Sequence, residues 1–204
     1  MSSMHPFMAA ELGRAFDFTR ALKYGTIPLI WFSNDPAAQL SAYHHLYLRE
    51  EILMEGLIRN TGNFSRFLEA ITFSHGNVLN TNNVSRECEV PRKTVEGYLD
   101  ILEDLMIGFR LPVFRQKPKR ALISHSKFYF FDTGVYRSLR PAGVPGYSAE
   151  TEGAALEGLI IQHLRAWNAY RGNNNDLFFW RTQSGVEVDV VIAGKDGIRA
   201  IEIK

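Results

Sequence analysis

Phe178-Phe179-Trp180-Arg181-Thr182-Gln183-Ser184-Gly185-Val186-Glu187-Val188-Asp189-Val190-Val191-Ile192, followed beyond Gly194-Lys195-Asp196-Gly197 by Ala200-Ile201-Glu202-Ile203-Lys204, is the stretch on which the reading of this chain turns. Its period-two patterning is that of strands, whose side chains alternate faces. With residues 194–197 as the hairpin loop, the register is centred between Lys195 and Asp196, so 192 pairs with 199 and 189 with 202. Strict alternation puts Asp189 on a face with Glu187 and Val191, and Glu202 on a face with Lys204, away from Ile201 and Ile203. Asp189 then faces Glu202. Facing cross-strand Cβ atoms stand about 4.5–5.5 Å apart, and two carboxylates at that spacing repel unless a cation neutralises them. Hard oxygen donors with room for water suit Mg²⁺ or Mn²⁺. Lys204 would orient or deprotonate an attacking water, or stabilise charge developing on a phosphate. Upstream, Glu152 to Tyr170 reads as a helix with Leu156, Leu159, Ile160, His163, Leu164 and Trp167 on one face; Glu157, at its edge, would complete the metal shell. A Glu-x-Lys on a strand also fits a plain solvated face.

Moving toward the N-terminus, residues 63–131 form one supersecondary unit. Asn80 to Glu87 is a short helical segment, Val90-Pro91 a turn, and Pro91 stands at a tolerated helix start. The helix that follows runs to about Met106, with Val95, Leu99, Leu102, Leu105 and Met106 as its apolar stripe. That leaves Arg92, Lys93 and Thr94 on the exposed first turn, where recognition helices meet DNA. Gly108 to Phe114 and Lys127 to Phe131 are strand-like and bracket a basic loop, the pattern of a winged helix-turn-helix. Arg110 to Phe131 carries Arg110, Arg115, Lys117, Lys119, Arg120 and Lys127 without a carboxylate. The expected polyanion contacts are Arg92, Lys93, Thr94, Arg115, Lys117, Lys119 and Arg120. Glu96, Asp100, Glu103 and Asp104 make the rest of that helix acidic, which suits protein docking equally well.

Further upstream, Glu11 to Tyr24 approximates a helical stripe ended by Gly25 and Pro28, and Asp35-Pro36 opens a second helix through His45. Glu50 to Arg59 and Phe64 to Phe73 follow. The 204 residues, 46% hydrophobic and 22% charged, describe a globular chain of one or two domains. The expected fold is α+β: a helical segment over 1–60, a winged helix-turn-helix over 61–140 and an αβββ module over 141–204. The net charge of +1 hides an asymmetry, since residues 61–140 hold 12 Lys and Arg against 8 Asp and Glu. No apolar run approaches the roughly 18–20 residues of a membrane span, and no leader pattern opens the chain, so a cytoplasmic protein without membrane attachment is expected. The lone Cys88 cannot form an internal disulfide and lies between Glu87 and Glu89, which argues against a nucleophile. Adjacent His44 and His45 diverge by about 100° on a helix and do not share a metal. Asp132 reads as a turn former or a helix cap.

The helical Glu157, the 178–192 strand pair and Ala200-Ile201-Glu202-Ile203-Lys204 together resemble the PD-(D/E)xK, restriction-endonuclease-like nuclease core. Residues 21–28, 47–52, 64–68, 94–104 and 127–135 are similar to the C-terminal part of a prokaryotic AAA-type ATPase family, in which a P-loop domain precedes a winged helix and a nuclease-like domain. That resemblance implies DNA, an ATPase subunit or self-association as partners, with residues before about 60 as the lid helices and tail of the ATPase module. It also implies metal-dependent phosphodiester cleavage at Asp189, Glu202, Lys204 and Glu157. The rival expectation is a non-catalytic scaffold binding DNA or protein. No Gly-x-x-x-x-Gly-Lys-[Ser/Thr] occurs, so the chain holds no ATP site and is not expected to hydrolyse ATP alone. The nuclease motif stops at Lys204, so the module is expected to be truncated, with its last strand an open edge.

Overall fold

The computed structural model describes residues 4–43, 58, 60–115, 125–141, 149–172 and 175–204. It is an α+β protein with two small antiparallel sheets. The stripe expected over 11–24 is broken into α1 (Ala9–Leu12), a 3₁₀ turn (Gly13–Ala15) and α2 (Phe18–Tyr24). Gly13 takes φ 53°, and Asp17 restarts the helix by accepting the Arg20 N–H. α3 (Pro28–Trp31) and α4 (Pro36–Ala42) both open on proline, and Asp35 caps α4 through the Ala38 N–H. The helix expected over Glu50 to Arg59 falls, with His44 and His45, outside the described residues.

The middle of the chain follows the expected order. α5 (Thr61–Thr72), α6 (Thr81–Cys88) and α7 (Arg92–Asp104) precede a hairpin of β1 (Gly108–Leu111) and β2 (Lys127–Phe130). Asn80 caps α6, and Glu89 ends it at φ 54°, where the left-handed conformation turns the chain into α7 within three residues. Cys88 is buried, and burial pushes its thiol up. Phe64, Phe67, Val84, Val95, Leu99 and Leu102 interlock as the main core.

β2 lies between two cores, because alternation sends Phe128 and Phe130 into the main one and Tyr129 into a second. That second core joins Leu111 and Tyr129 of the hairpin to Ile161 of α9 (Ala149–Tyr170) and to Phe179, Val190 and Ile192 of the second sheet. Between them, α8 (Thr133–Leu139) packs on α2. Asp132 caps α8 through the Gly134 and Val135 N–H groups, as expected, and also accepts the Thr26 N–H from the N-terminal segment. The second sheet has the order β3 (Asp176–Arg181), β4 (Glu187–Gly194), β5 (Gly197–Ile201), and a bridge from Val113 to Phe179 ties the hairpin to it.

Candidate functional site

The β4–β5 hairpin has the register the loop dictates: Ile192 pairs with Arg199 and Gly194 with Gly197, the ladder ending at Val190 with Ile201. Asp189 and Glu202 are the next step beyond that last pair. What alternation missed is a bulge. Phe178 pairs with Val191 but Trp180 pairs with Val188, so Asp189 and Val190 together oppose the single residue Phe179. The extra residue resets the phase. Glu187 therefore lies on the core side with Val190 and Ile192, whereas strict alternation puts it with Val191. Asp189 lies close enough to Glu157 and Tyr129 to push both groups up electrostatically.

On that core side sits a polar hub that no single segment reveals. Lys127 of β2 is 2% exposed and donates to Glu157 Oε1 at 2.8 Å and to Glu187 Oε1, with its ammonium 5.6 Å from the centre of the Phe179 ring. Tyr129, two residues on and on the same face of β2, donates its hydroxyl to the same Glu157 oxygen at 2.5 Å. Arg181 of β3 holds the other oxygen of Glu187 at 3.0 Å. Burial alone pulls the lysine down, but Glu157 and Glu187 overcome it and hold Lys127 above the usual lysine range. Glu157 is pushed up by burial against the pull of Lys127 and Tyr129, and burial, with Glu157 beside it, also pushes the Tyr129 phenol up. The ammonium and the Arg181 guanidinium together balance these two carboxylates in place, and Lys127 ties the hairpin, α9 and the second sheet together.

The expected site residues divide accordingly. Glu157 and Asp189 come together at the hub. The Asp189 carboxylate accepts the Ile203 N–H at 2.8 Å, which draws the chain after β5 alongside β4. Ile201 and Ile203 pack on the second core, and Glu202 and Lys204 are exposed. Among the described residues, no three His, Cys, Asp or Glu side chains are gathered as a metal ion would require. Glu157 and Glu187 already spend their inner oxygens on Lys127, so this donor set, as disposed, does not fit a divalent cation.

Of the expected polyanion contacts, Arg92 is tied to Glu96 at 2.8 Å, while Lys93 and Arg115 are exposed and Thr94 is half-buried. Lys117, Lys119 and Arg120 lie outside the described residues. Two other cations of that basic stretch are not free: Arg110 pairs with Asp100 at 2.9 Å and with Glu103, and Lys127 is the buried centre of the hub. Lys127, Tyr129, Glu187 and Arg181 are the residues that sequence reading missed. The usable signal was Lys127-Phe128-Tyr129-Phe130, where a lysine and a tyrosine share one face of a strand that is otherwise aromatic.

The fold thus defines an α+β protein whose β1–β2 hairpin, α9 and C-terminal sheet are locked by a buried ion-pair hub. Residues 16–145 match the family described as "Domain of unknown function (DUF8612)", and the chain belongs to that family. Residues 152–204 match a second one, "Domain of unknown function (DUF4143)", so the hub draws Lys127 and Tyr129 from one matched region and Glu157 and Glu187 from the other. The chain is similar to "Uncharacterized protein Rv2008c" of Mycobacterium tuberculosis and "Uncharacterized protein Mb2031c" of Mycobacterium bovis, each 28% identical over 177 residues. Those matches cover 84% of this chain but 38% of each relative, so the chain spans well under half of their length. No solved structure matches it. No helix among the described residues is long and apolar enough to cross a membrane.

Proposed function

We propose that this chain is a DNA-associated binding module of a larger AAA-type ATPase system, and that its C-terminal αβββ unit serves as a scaffold. The observation that carries the reading is the first turn of α7. It begins at Arg92 behind Pro91, which supplies no side-chain cap, follows α6 through a tight turn, and presents Lys93 to solvent. Uncapped N–H groups and the positive end of the helix dipole favour a phosphate there. The succession α5, α6, α7, β1, β2 supports a winged helix-turn-helix. The scaffold role is favoured by Lys127 and Arg181, whose ion pairs already occupy Glu157 and Glu187. The ATPase connection draws on the family resemblance and on the relatives' greater length. A cytoplasmic location follows from DNA as the partner.

Fluorescence anisotropy with a labelled duplex across a salt series tests this. Every phosphate that the protein ceases to neutralise takes about 0.9 from the slope of log K against log salt. Lys93→Ala with Arg115→Ala is expected to flatten that slope by about 1.8 units, and an unchanged slope refutes the DNA interface. A second reading draws on the β4–β5 ladder, whose next step beyond the last pair, Val190 with Ile201, is Asp189 with Glu202: a Mg²⁺-dependent phosphodiesterase acting through Asp189, Glu202 and Lys204, for which Glu202 has to turn from solvent toward Asp189. It requires Mn²⁺ binding by calorimetry that Asp189→Ala abolishes, with matching nicking of supercoiled plasmid.

A further inference from the structure

At the turn end of the β4–β5 hairpin, roughly 16 Å along β4 from Asp189 at about 3.3 Å per residue, the sheet and the C-terminal end of α9 enclose a cavity of about 250 Å³. Ile192, Trp167, Arg171, Asn175, Asp196 and Arg199 are among the residues that line it. We propose that this cavity binds a nucleotide unit, the aromatic base against Trp167 and the phosphate between Arg171 and Arg199.

Three features carry this. The first is placement. Arg199 pairs directly with Ile192, so it shares the face that Ile192 buries against α9 and reaches under the helix end. The second is unspent charge. Among the described residues neither Arg171 nor Arg199 lies within 4 Å of a carboxylate, although Asp196 lines the same cavity, so two guanidinium forks stand ready for one anion. The third is the aromatic wall. Trp167 is half-buried, with the Arg171 guanidinium 5.8 Å from its ring centre, the pairing of cation and π-face on which bases stack. The helix end, whose dipole disfavours an anion, is muted locally: the Arg171 and Gly172 N–H groups take the Trp167 and Ala169 carbonyls, with Gly172 at φ 62°. Gly194 lets the Asn175 side chain lie against the strand as part of the remaining wall, since a Cβ there would stand 1.8 Å from Asn175 Oδ1.

This site is separate from the α7 interface and stands or falls without it. The test is calorimetric titration of the 204-residue chain with adenosine 5′-monophosphate, inorganic phosphate and adenosine at low salt. The monophosphate is expected to bind at least tenfold more tightly than either fragment, because only it engages both the ring and the guanidinium pair. Arg199→Gln and Arg171→Gln, both at exposed positions, are each expected to weaken it tenfold or more with the far-UV spectrum unchanged. Trp167→Leu is expected to weaken the monophosphate while leaving inorganic phosphate as it was. Single-stranded oligonucleotides with and without a 5′-phosphate identify the source: preference for the phosphorylated strand over the mononucleotide indicates a nucleic-acid end, and equal competition indicates a free nucleotide. No binding of the monophosphate, or binding indifferent to both arginine substitutions, overturns the proposal.

Discussion

Replacing Lys127 with methionine removes the centre of the hub while keeping the length and most of the volume of the side chain. The lysine side chain is 3% exposed and the two carboxylates it serves are 17% and 22% exposed, so water cannot take over its role. Deleting one partner of a buried ion pair costs about 3–5 kcal/mol, because the remaining charge is stranded. For a domain of this size each kcal/mol moves Tm by about 2–4 °C, so Lys127→Met is expected to melt roughly 6–20 °C lower at pH 7. The pH dependence carries the mechanism. Glu157, already pushed up by burial, rises further without its ammonium, so the folded variant holds a proton more tightly than its unfolded chain. The deficit should therefore shrink as pH falls toward the ordinary carboxylate value. It should shrink again in strong base, because stability from a lysine held above its usual range is complete below that range and disappears as pH rises through the folded value. Adding Glu157→Gln removes one stranded carboxylate and should recover at least about 1 kcal/mol. Urea denaturation from pH 4.5 to 8 is the assay. A cost below about 1 kcal/mol at pH 7, or one constant across that range, would refute the account of the hub.

Two further outcomes bear on packing. Gly158→Ala places a Cβ 2.5 Å from Nε2 of His75, a ring stacked 3.9 Å from Tyr136 and held through Nδ1 by the Phe130 N–H, so it cannot yield; stability should drop by about 1–3 kcal/mol. Gly153→Ala, in the same helix with no atom within 4 Å of the new Cβ, should instead gain up to about 1 kcal/mol, and melts of equal sign for the two would contradict this packing. Asp132 is pushed up to about 6 by burial despite the N–H donors of Thr26, Val135 and Gly134. A carboxyl with a raised folded value weakens the fold as it ionises, so stability should fall as pH rises from about 4 to 6 and then level. Asp132→Asn should abolish that slope and cost about 1–3 kcal/mol by turning an amide N–H against Thr26; a carbon-detected titration with its midpoint near 4 for wild-type Asp132 would contradict the reading.

Local chemistry made much of this protein legible in advance. The α5–α6–α7 order, the hairpin strands, the capping role of Asp132 and the Ile192–Arg199 register follow from periodicity, turn residues and a 194–197 loop centred between Lys195 and Asp196, all properties of neighbours in sequence. The break at Gly13 was missed because Leu12, Ala15 and Phe16 keep an apolar spacing that a helix would also show.

Three things depended on tertiary packing. A bulge is set by how β3 and β4 pack, so only the fold shows Glu187 on the core side with Val190 and Ile192. Net charge along a loop says nothing of partners distant in sequence: Lys127 finds Glu157 thirty residues away and becomes a buried tie between elements. Arg171 and Arg199, unremarkable at their places in the chain, meet only because β5 pairs back on β4 beneath the end of α9. Which segments are helix and strand, and where the hairpin turns, could be read directly from the residues, since those choices are made between near neighbours. Which charges are spent on one another and which remain free is settled by contacts between distant segments, and those exist only once the cores have closed.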